Sequence, residues 1–557
     1  MSNLVTAGDI VANFLNECGV KQAFGVISIH NMPILDAISR QNKIRFVPAR
    51  SEGGAVNMAD ANARVSGGLG VAISSTGTAA GNACGAIVEA MTAGAPLLHL
   101  TGQIDQKHLD RQKGFIHEAA DQLGMLESAG KAAFRVWSPE TLLGTLREAV
   151  QLAHTPPKGP VSVEIPIDIQ GAQIPCLMNE APLPPAVQAV DERGIEALAA
   201  DLASKNRVIL WLGGGARGAG SAVAELAALG IGLVTSVNGR GIYPEDGPNC
   251  LGAFNLQSPV EELYGTCDAM VVVGSRLRSN ETLSYSLQLP SPLFQIDADP
   301  RAEGRSYPVQ RFICGDASAT LDLLAAHLKK DFEPDPAFSN DILVARNAAE
   351  RGMRDALGPY NEVLDTIIET VPKNFVWVRD ITLSNTIWGN RLPSLDGPRN
   401  GVHALGGGIG QGLPMSIGAA LAAQSQGQKT LALIGDGGFA VTLGELATAK
   451  QENADIVILL MNDGGYGVIK NIQDAKFGGR QVYADVLGPD WAGLCGSFDV
   501  SFHLVRNTAD LKPALISALG VSGPVLIEVD MKRVGDFSQA FAGPPTRLKQ
   551  SADTGAG

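Results

Sequence analysis

A chain of 557 residues with 45% hydrophobic and 18% charged side chains has room for roughly three to four packed domains, and its composition is not that of a disordered or fibrous protein. The formal charge of −14 and a pI near 5.1, with no Lys/Arg-rich run, argue against nucleic acid or an anionic membrane as the main partner. No apolar run approaches the ~20 residues of a membrane span, and the N-terminus lacks a basic and apolar leader pattern, so a cytoplasmic location is expected. Cys18, Cys84, Cys176, Cys250, Cys267, Cys314 and Cys495 are scattered and never form Cys-x-x-Cys, which predicts buried thiols rather than disulfides or a zinc site.

In chain order, an apolar strand over 71–74 leads into a small-residue loop, Ser75 to Gly81, then a helical stretch and a second strand within 95–102. A strand over 159–164 precedes the proline-rich segment 175–185, which reads as a boundary. The middle segment alternates strands (208–212, 269–273, 293–296) with helices. Its turn Leu212-Gly213-Gly214-Gly215-Ala216-Arg217-Gly218 either cradles a nucleotide phosphate or is structural, and it does not match Gly-x-Gly-x-x-Gly. Residues 329–360 are charged and read as a second boundary without apolar periodicity. Beyond them, 375–378 and 430–434 read as strands, a helical pattern runs through Ala447 and Lys450, and strands follow over 456–461 and 523–528. Residues 431–464 repeat the order of 71–103, which suggests an internal duplication. The expected fold is α/β, three domains with parallel sheets flanked by helices, over 1–180, 190–330 and 355–540, with a disordered tail over 544–557.

The chemistry concentrates in Gly435-Asp436-Gly437-Gly438 and Asn462-Asp463-Gly464-Gly465-Tyr466-Gly467. Asp436 and Asp463 lie 27 residues apart. Each carboxylate follows a strand, beside glycines that free backbone N–H groups, a pattern that suits a hard divalent cation, Mg2+, bridged to a phosphate or diphosphate. Either half alone would read as an ordinary glycine turn.

With these motifs the chain resembles thiamine diphosphate (ThDP) enzymes of the acetohydroxyacid synthase, benzoylformate decarboxylase and pyruvate decarboxylase group. The resemblance implies a pyrimidine-binding domain, a central Rossmann-like domain and a diphosphate-binding domain, in that order. It implies ThDP and Mg2+ as cofactors, with Asp436, Asp463 (usually Asn in the family) and Gly465 at the metal and Gly437 and Gly438 at the diphosphate. Within Arg50-Ser51-Glu52-Gly53-Gly54-Ala55, Glu52 matches the family's catalytic glutamate and Ser51 replaces the common His. Glu52 is expected in an apolar pocket with a raised pKa, bonded to the aminopyrimidine. In Gly406-Gly407-Gly408-Ile409-Gly410, Ile409 matches the aliphatic residue that bends the cofactor, and the Gly407 carbonyl would accept from its amino group. Thr382 and Ser384 fall where relatives contact the diphosphate, and Ser75 lies in the loop Ser75 to Asn82, which is close to that of the synthases.

His30, His117 and His403 are candidates for proton transfer, because the resemblance brings their loops toward the reacting carbon. In a decarboxylase for a larger 2-oxo acid Ile469, Val468 and His403 would shape the pocket, while Lys470 either pairs a substrate carboxylate or, the reading placed first, is an exposed helix lysine. The segment Gly252-Ala253-Phe254-Asn255 departs from the FAD-binding pattern of the synthases, which leaves FAD open. The implied function is a C–C bond lyase or carboligase acting on a 2-oxo acid and, as acceptor, an aldehyde or second 2-oxo acid, with acetolactate-synthase-like carboligation placed first. The alternatives are a simple 2-oxo acid decarboxylase that releases an aldehyde and a non-catalytic homologue that binds nucleotide. The family also implies a homodimer or homotetramer with active sites shared between subunits.

Overall fold

The computed structural model describes residues 4–176 and 180–543, which form three parallel sheets flanked by helices. The described residues divide into two compact units, one drawn from 1–188, 357–467 and 483–537, the other from 189–356, 468–482 and 538–557.

The first unit holds two six-stranded sheets. In the N-terminal sheet the spatial order is Arg45–Pro48, Gln22–Gly25, Gly70–Ser74, Leu97–Gln103, Pro160–Pro166, Ala132–Arg135. In the C-terminal sheet it is Gly401–His403, Val376–Arg379, Thr430–Gly435, Ile456–Asn462, Val525–Asp530, Ser501–Val505. With strands numbered along the chain, both read 2-1-3-4-6-5, so the internal repeat is a repeat of topology. In such a sheet the connections after strands 1 and 3 leave in opposite directions and open a crevice at the carboxyl ends of the strands. The first crevice is bordered by Val26–His30 and Ser75–Gly77, the second by Asp380–Ser384 and Asp436–Gly438.

One apolar core runs from the N-terminal sheet through to the C-terminal one. At its centre helix Glu52–Ser66 packs on helix Gly412–Ala423, every residue of which is buried. A helix that is apolar all round is stable only in such an interior. The approach is close at Gly418, where a methyl would run into the Met58 backbone and where the Gly418 carbonyl accepts from Asn62 Nδ2 at 3.2 Å.

The second unit contains a five-stranded parallel sheet in the order Gly232–Thr235, Val208–Leu212, Ala269–Val273, Leu293–Asp297, Arg311–Cys314. Gly213 and Gly215 abut the Gly274–Ser275 backbone, so close packing accounts for both glycines.

Four expectations need correction. The loop Ser75 to Gly81 is shorter, because helix Thr78–Ala93 begins inside it. Residues 329–360 are not aperiodic: helix Phe338–Asp355 buries Phe338, Ile342, Ala345, Ala349 and Met353, an amphipathic stripe masked by its charged outer face. Asp436 opens the short helix Asp436–Val441 rather than sitting in a loop, and the helical pattern beyond it is a separate helix, Glu445–Gln451. Among the cysteines only Cys250 and Cys495 are buried, and Cys176 is exposed. Residues 177–179 of the proline-rich boundary and the tail 544–557 lie outside the described residues. Among the described residues, no helix is long and apolar enough to cross a membrane.

Candidate active site

At the C-terminal crevice, strands Thr430–Gly435 and Ile456–Asn462 run side by side in register and bring Asp436 and Asp463 together. The Asp463 N–H donates to Asp436 Oδ1 at 3.3 Å, and the N–H groups of Gly437 and Gly465 also reach the Asp436 carboxylate. Burial raises the Asp436 pKa, and those N–H groups oppose the rise. Among the described residues no three His, Cys, Asp or Glu side chains are grouped to hold a metal. Two carboxylates and backbone carbonyls are the donor types that suit a hard cation shared with a diphosphate.

The surroundings fit a diphosphate. Ser384 Oγ is buried and makes no hydrogen bond within the described residues. A side chain at Gly435 would come within 2.9 Å of Thr382 Oγ1, and one at Gly437 within 2.8 Å of the Gly465 carbonyl and the Tyr466 ring. The glycines thus let the backbone come close to this polar cluster.

Beside it, the turn after strand Gly401–His403 presents Gly407 at φ +85°, with open space where a side chain would stand, and Ile409, which is 40% exposed. Asp380 anchors the far end of the turn. It is fully buried, its Oδ2 accepts from Gly410 N at 3.1 Å, and the N–H groups of Ile381, Gln411 and Gly412 bond it too. Burial pushes its pKa up to about 6 against the pull of those donors.

At the N-terminal crevice Ser28 Oγ and Ser75 Oγ are 2.5 Å apart, and Thr101 Oγ1 donates to the Ser75 carbonyl at 2.6 Å. His30 is buried, its Nδ1 makes no hydrogen bond within the described residues, and its ring meets that of the exposed His117 edge-on at 5.6 Å. Burial and, after it, the neighbouring His117 lower the His30 pKa, while Asp105 opposes them. His403 lies on the other sheet, its Nδ1 3.3 Å from the Arg379 carbonyl oxygen.

Glu52 is the first residue of its helix, which Ser51 caps by accepting from Gly54 N at 3.0 Å. Within the chain the Glu52 carboxylate is half-buried and accepts from Asn82 Nδ2 at 3.1 Å, so the chain by itself does not enclose it in the expected apolar pocket. Ser51 Oγ and Arg50 N also bond Glu445, a buried acid that opens helix Glu445–Gln451 beside the C-terminal sheet. Val468, Ile469 and Lys470 lie on helix Gly467–Lys476; Ile469 is exposed, and Lys470 is half-buried rather than exposed.

Sequence reasoning passed over Asp380, Glu445, Asn82 and Glu89. Two of them carried a signal. Asp380 directly follows an apolar strand, and Glu89 is a lone acid in the alanine-rich helix Thr78–Ala93, where a solvated face would carry several.

Twin sheets with polar loops at equivalent crevices, together with a third sheet domain, define a three-domain α/β protein with a diphosphate-compatible carboxylate pair. Residues 5–125, 195–324 and 383–529 match, in turn, the N-terminal TPP binding domain, the central domain and the C-terminal TPP binding domain of thiamine pyrophosphate enzymes. The chain belongs to this family. It is 32% identical to a probable 2-ketoarginine decarboxylase of Pseudomonas aeruginosa, over 94% of each chain. It is 27% identical to a probable acetolactate synthase large subunit of Methanocaldococcus jannaschii, over 92% of this chain and 89% of the other, and 27% identical to the acetolactate synthase isozyme 1 large subunit of Escherichia coli, over 94% and 93%.

Proposed function

We propose that the protein is a ThDP- and Mg2+-dependent lyase that decarboxylates a 2-oxo acid and releases the shortened aldehyde. ThDP supplies a nucleophilic carbon and an electron sink for the departing CO2. Asp436, Asp463 and the Gly465 carbonyl hold the cation, and Thr382, Ser384, Gly437 and Gly438 face the diphosphate. Gly407 and Ile409 orient the aminopyrimidine. Glu52 would hold a proton for the aminopyrimidine ring, in a pocket that a second subunit would complete.

The observation that carries the choice of outcome is the His30–His117 pair, one ring buried and one exposed, 5.6 Å apart. A buried imidazole that takes a proton from its solvent-exposed neighbour can deliver it, as the imidazolium, to a carbon centre and then be recharged along the same path, which favours release over carboligation. The full-length similarity to a probable 2-ketoarginine decarboxylase supports the same outcome. Carboligation is the second reading, favoured by the acetolactate synthase relatives.

The test is to incubate the protein with ThDP, Mg2+ and a panel of 2-oxo acids, 2-ketoarginine and pyruvate among them, and to measure CO2 and product mass. Aldehyde released one-for-one with CO2, and abolished in E52Q, supports the decarboxylase; a joined product overturns it in favour of carboligation. Flavin absorbance of the purified protein decides FAD occupancy.

A further inference from the structure

We infer that Glu89, braced by Arg64, is a positioning residue that clamps the turn carrying Gly407 and Ile409, an inference that rests on the ThDP reading above. Glu89 stands on helix Thr78–Ala93 of the N-terminal sheet, yet its carboxylate is spent on the C-terminal sheet. Oε1 accepts from Leu405 N and Oε2 from Gly406 N, each at 2.6 Å. Arg64, on helix Glu52–Ser66, grips the preceding peptide unit: its Nη1 donates to the His403 carbonyl at 2.8 Å. Arg64 Nε bonds Asp60 Oδ1 at 2.8 Å, and Nη2 lies against Asp60 Oδ2 and 3.4 Å from Glu89 Oε1. Three consecutive peptide units of the turn are therefore held by one ion network whose members are all buried.

A merely cohesive role explains this poorly. Burying three charges is expensive, and an apolar cluster of the same volume often stabilises as well or better. The return is specificity of geometry. Gly407 at φ +85° and Gly410 at φ +80° make the turn intrinsically loose, and the bond across its own backbone from Gly407 N to the Ala404 carbonyl is long, 3.4 Å. Glu89 and Arg64 fix its beginning and Asp380 fixes Gly410 at its end, so the exposed Gly407 and Ile409 are carried between two rigid points. Without the first anchor the Gly407 carbonyl and the Ile409 side chain sample positions off by an ångström or so, an error that costs about 10- to 100-fold in rate at a positioned site.

E89Q keeps the side-chain shape but sets an NH2 group against one of the two N–H donors. Amide hydrogen exchange across 403–410 of the apoprotein should quicken at least tenfold, with exchange in strand Ile456–Asn462 unchanged. In the loaded enzyme kcat for CO2 release should fall about 10- to 100-fold with KM altered less than threefold. Wild-type exchange at 403–410 in folded E89Q, or kcat within threefold of wild type, overturns the assignment. If E89Q does not fold, G406A disturbs the same contact from the turn side, since its methyl would come within 2.6 Å of Glu89 Oε2. Local loosening there supports the clamp, and its absence refutes it. If ThDP with Mg2+ fails to raise the melting temperature of the unmutated chain, the cofactor reading fails, while the exchange experiment still decides whether Glu89 holds the turn.

Discussion

Replacing His99 by Gln should remove a measurable part of the acid sensitivity of the N-terminal sheet. His99 is fully buried in strand Leu97–Gln103, its Nε2 2.8 Å from Ser74 Oγ and its Nδ1 3.1 Å from Ser162 Oγ. Both partners are neutral, and burial alone pushes the imidazole from 6.5 down to about 4. The unfolded chain takes up this proton near pH 6.5, whereas the folded chain resists it until about pH 4. Between those values the unfolded state binds more protons, so stability is full above about pH 6.5 and is lost as the pH falls through the window. The gap of about 2.5 pH units corresponds to a loss of about 3 kcal/mol, of which about 2 kcal/mol is already gone at pH 5. A glutamine offers a donor and an acceptor but does not titrate. Urea unfolding at pH 7 and pH 5, followed by hydrogen exchange in strands Gly70–Ser74 and Leu97–Gln103, gives the pH-dependent loss for each chain. Wild type should lose about 2 kcal/mol more than H99Q. Equal losses would refute the linkage between this buried ring and acid unfolding.

Mixing E52Q chains with D436A chains should restore part of the activity through hybrid dimers; hybrids proven by native mass spectrometry but inactive would contradict a site shared between subunits. D463N should keep Mg2+-dependent ThDP binding within about threefold of wild type, because the amide keeps an oxygen at the same reach, whereas D463A should weaken it at least about tenfold; titration calorimetry distinguishes the two. G465A should abolish the ThDP-induced rise in melting temperature, since Gly465 has φ +147° and an added methyl would strike the Ala484 carbonyl. An unchanged rise would show that this loop tolerates a Cβ.

The carboxylate pair at the C-terminal crevice was legible because its signal is local. Strand, glycine loop and carboxylate follow one another within a few residues at Asp436 and again at Asp463, and the apolar run before each locates the strand end. The parallel-sheet class was legible for the same reason, from apolar runs such as Val208–Leu212 and Ala269–Val273. Helix Phe338–Asp355 escaped because a charged outer face dilutes composition, although its buried positions keep helical spacing.

What only the tertiary structure decided is which distant residues share a crevice. Ser28 with Ser75, His30 with His117, Arg50 with Glu445 and Glu89 with the turn at Leu405 and Gly406 are pairs whose separations in sequence carry no period. Strand order 2-1-3-4-6-5 is likewise unspecified by local pattern, because each strand is a short apolar run that would pair acceptably with several others. Local propensity and spacing depend on neighbours within a turn or a strand, so a single sequence displays them; register between sheets depends on the fit of whole apolar faces, as where Gly418 meets Met58, and that fit exists only once the chain has folded.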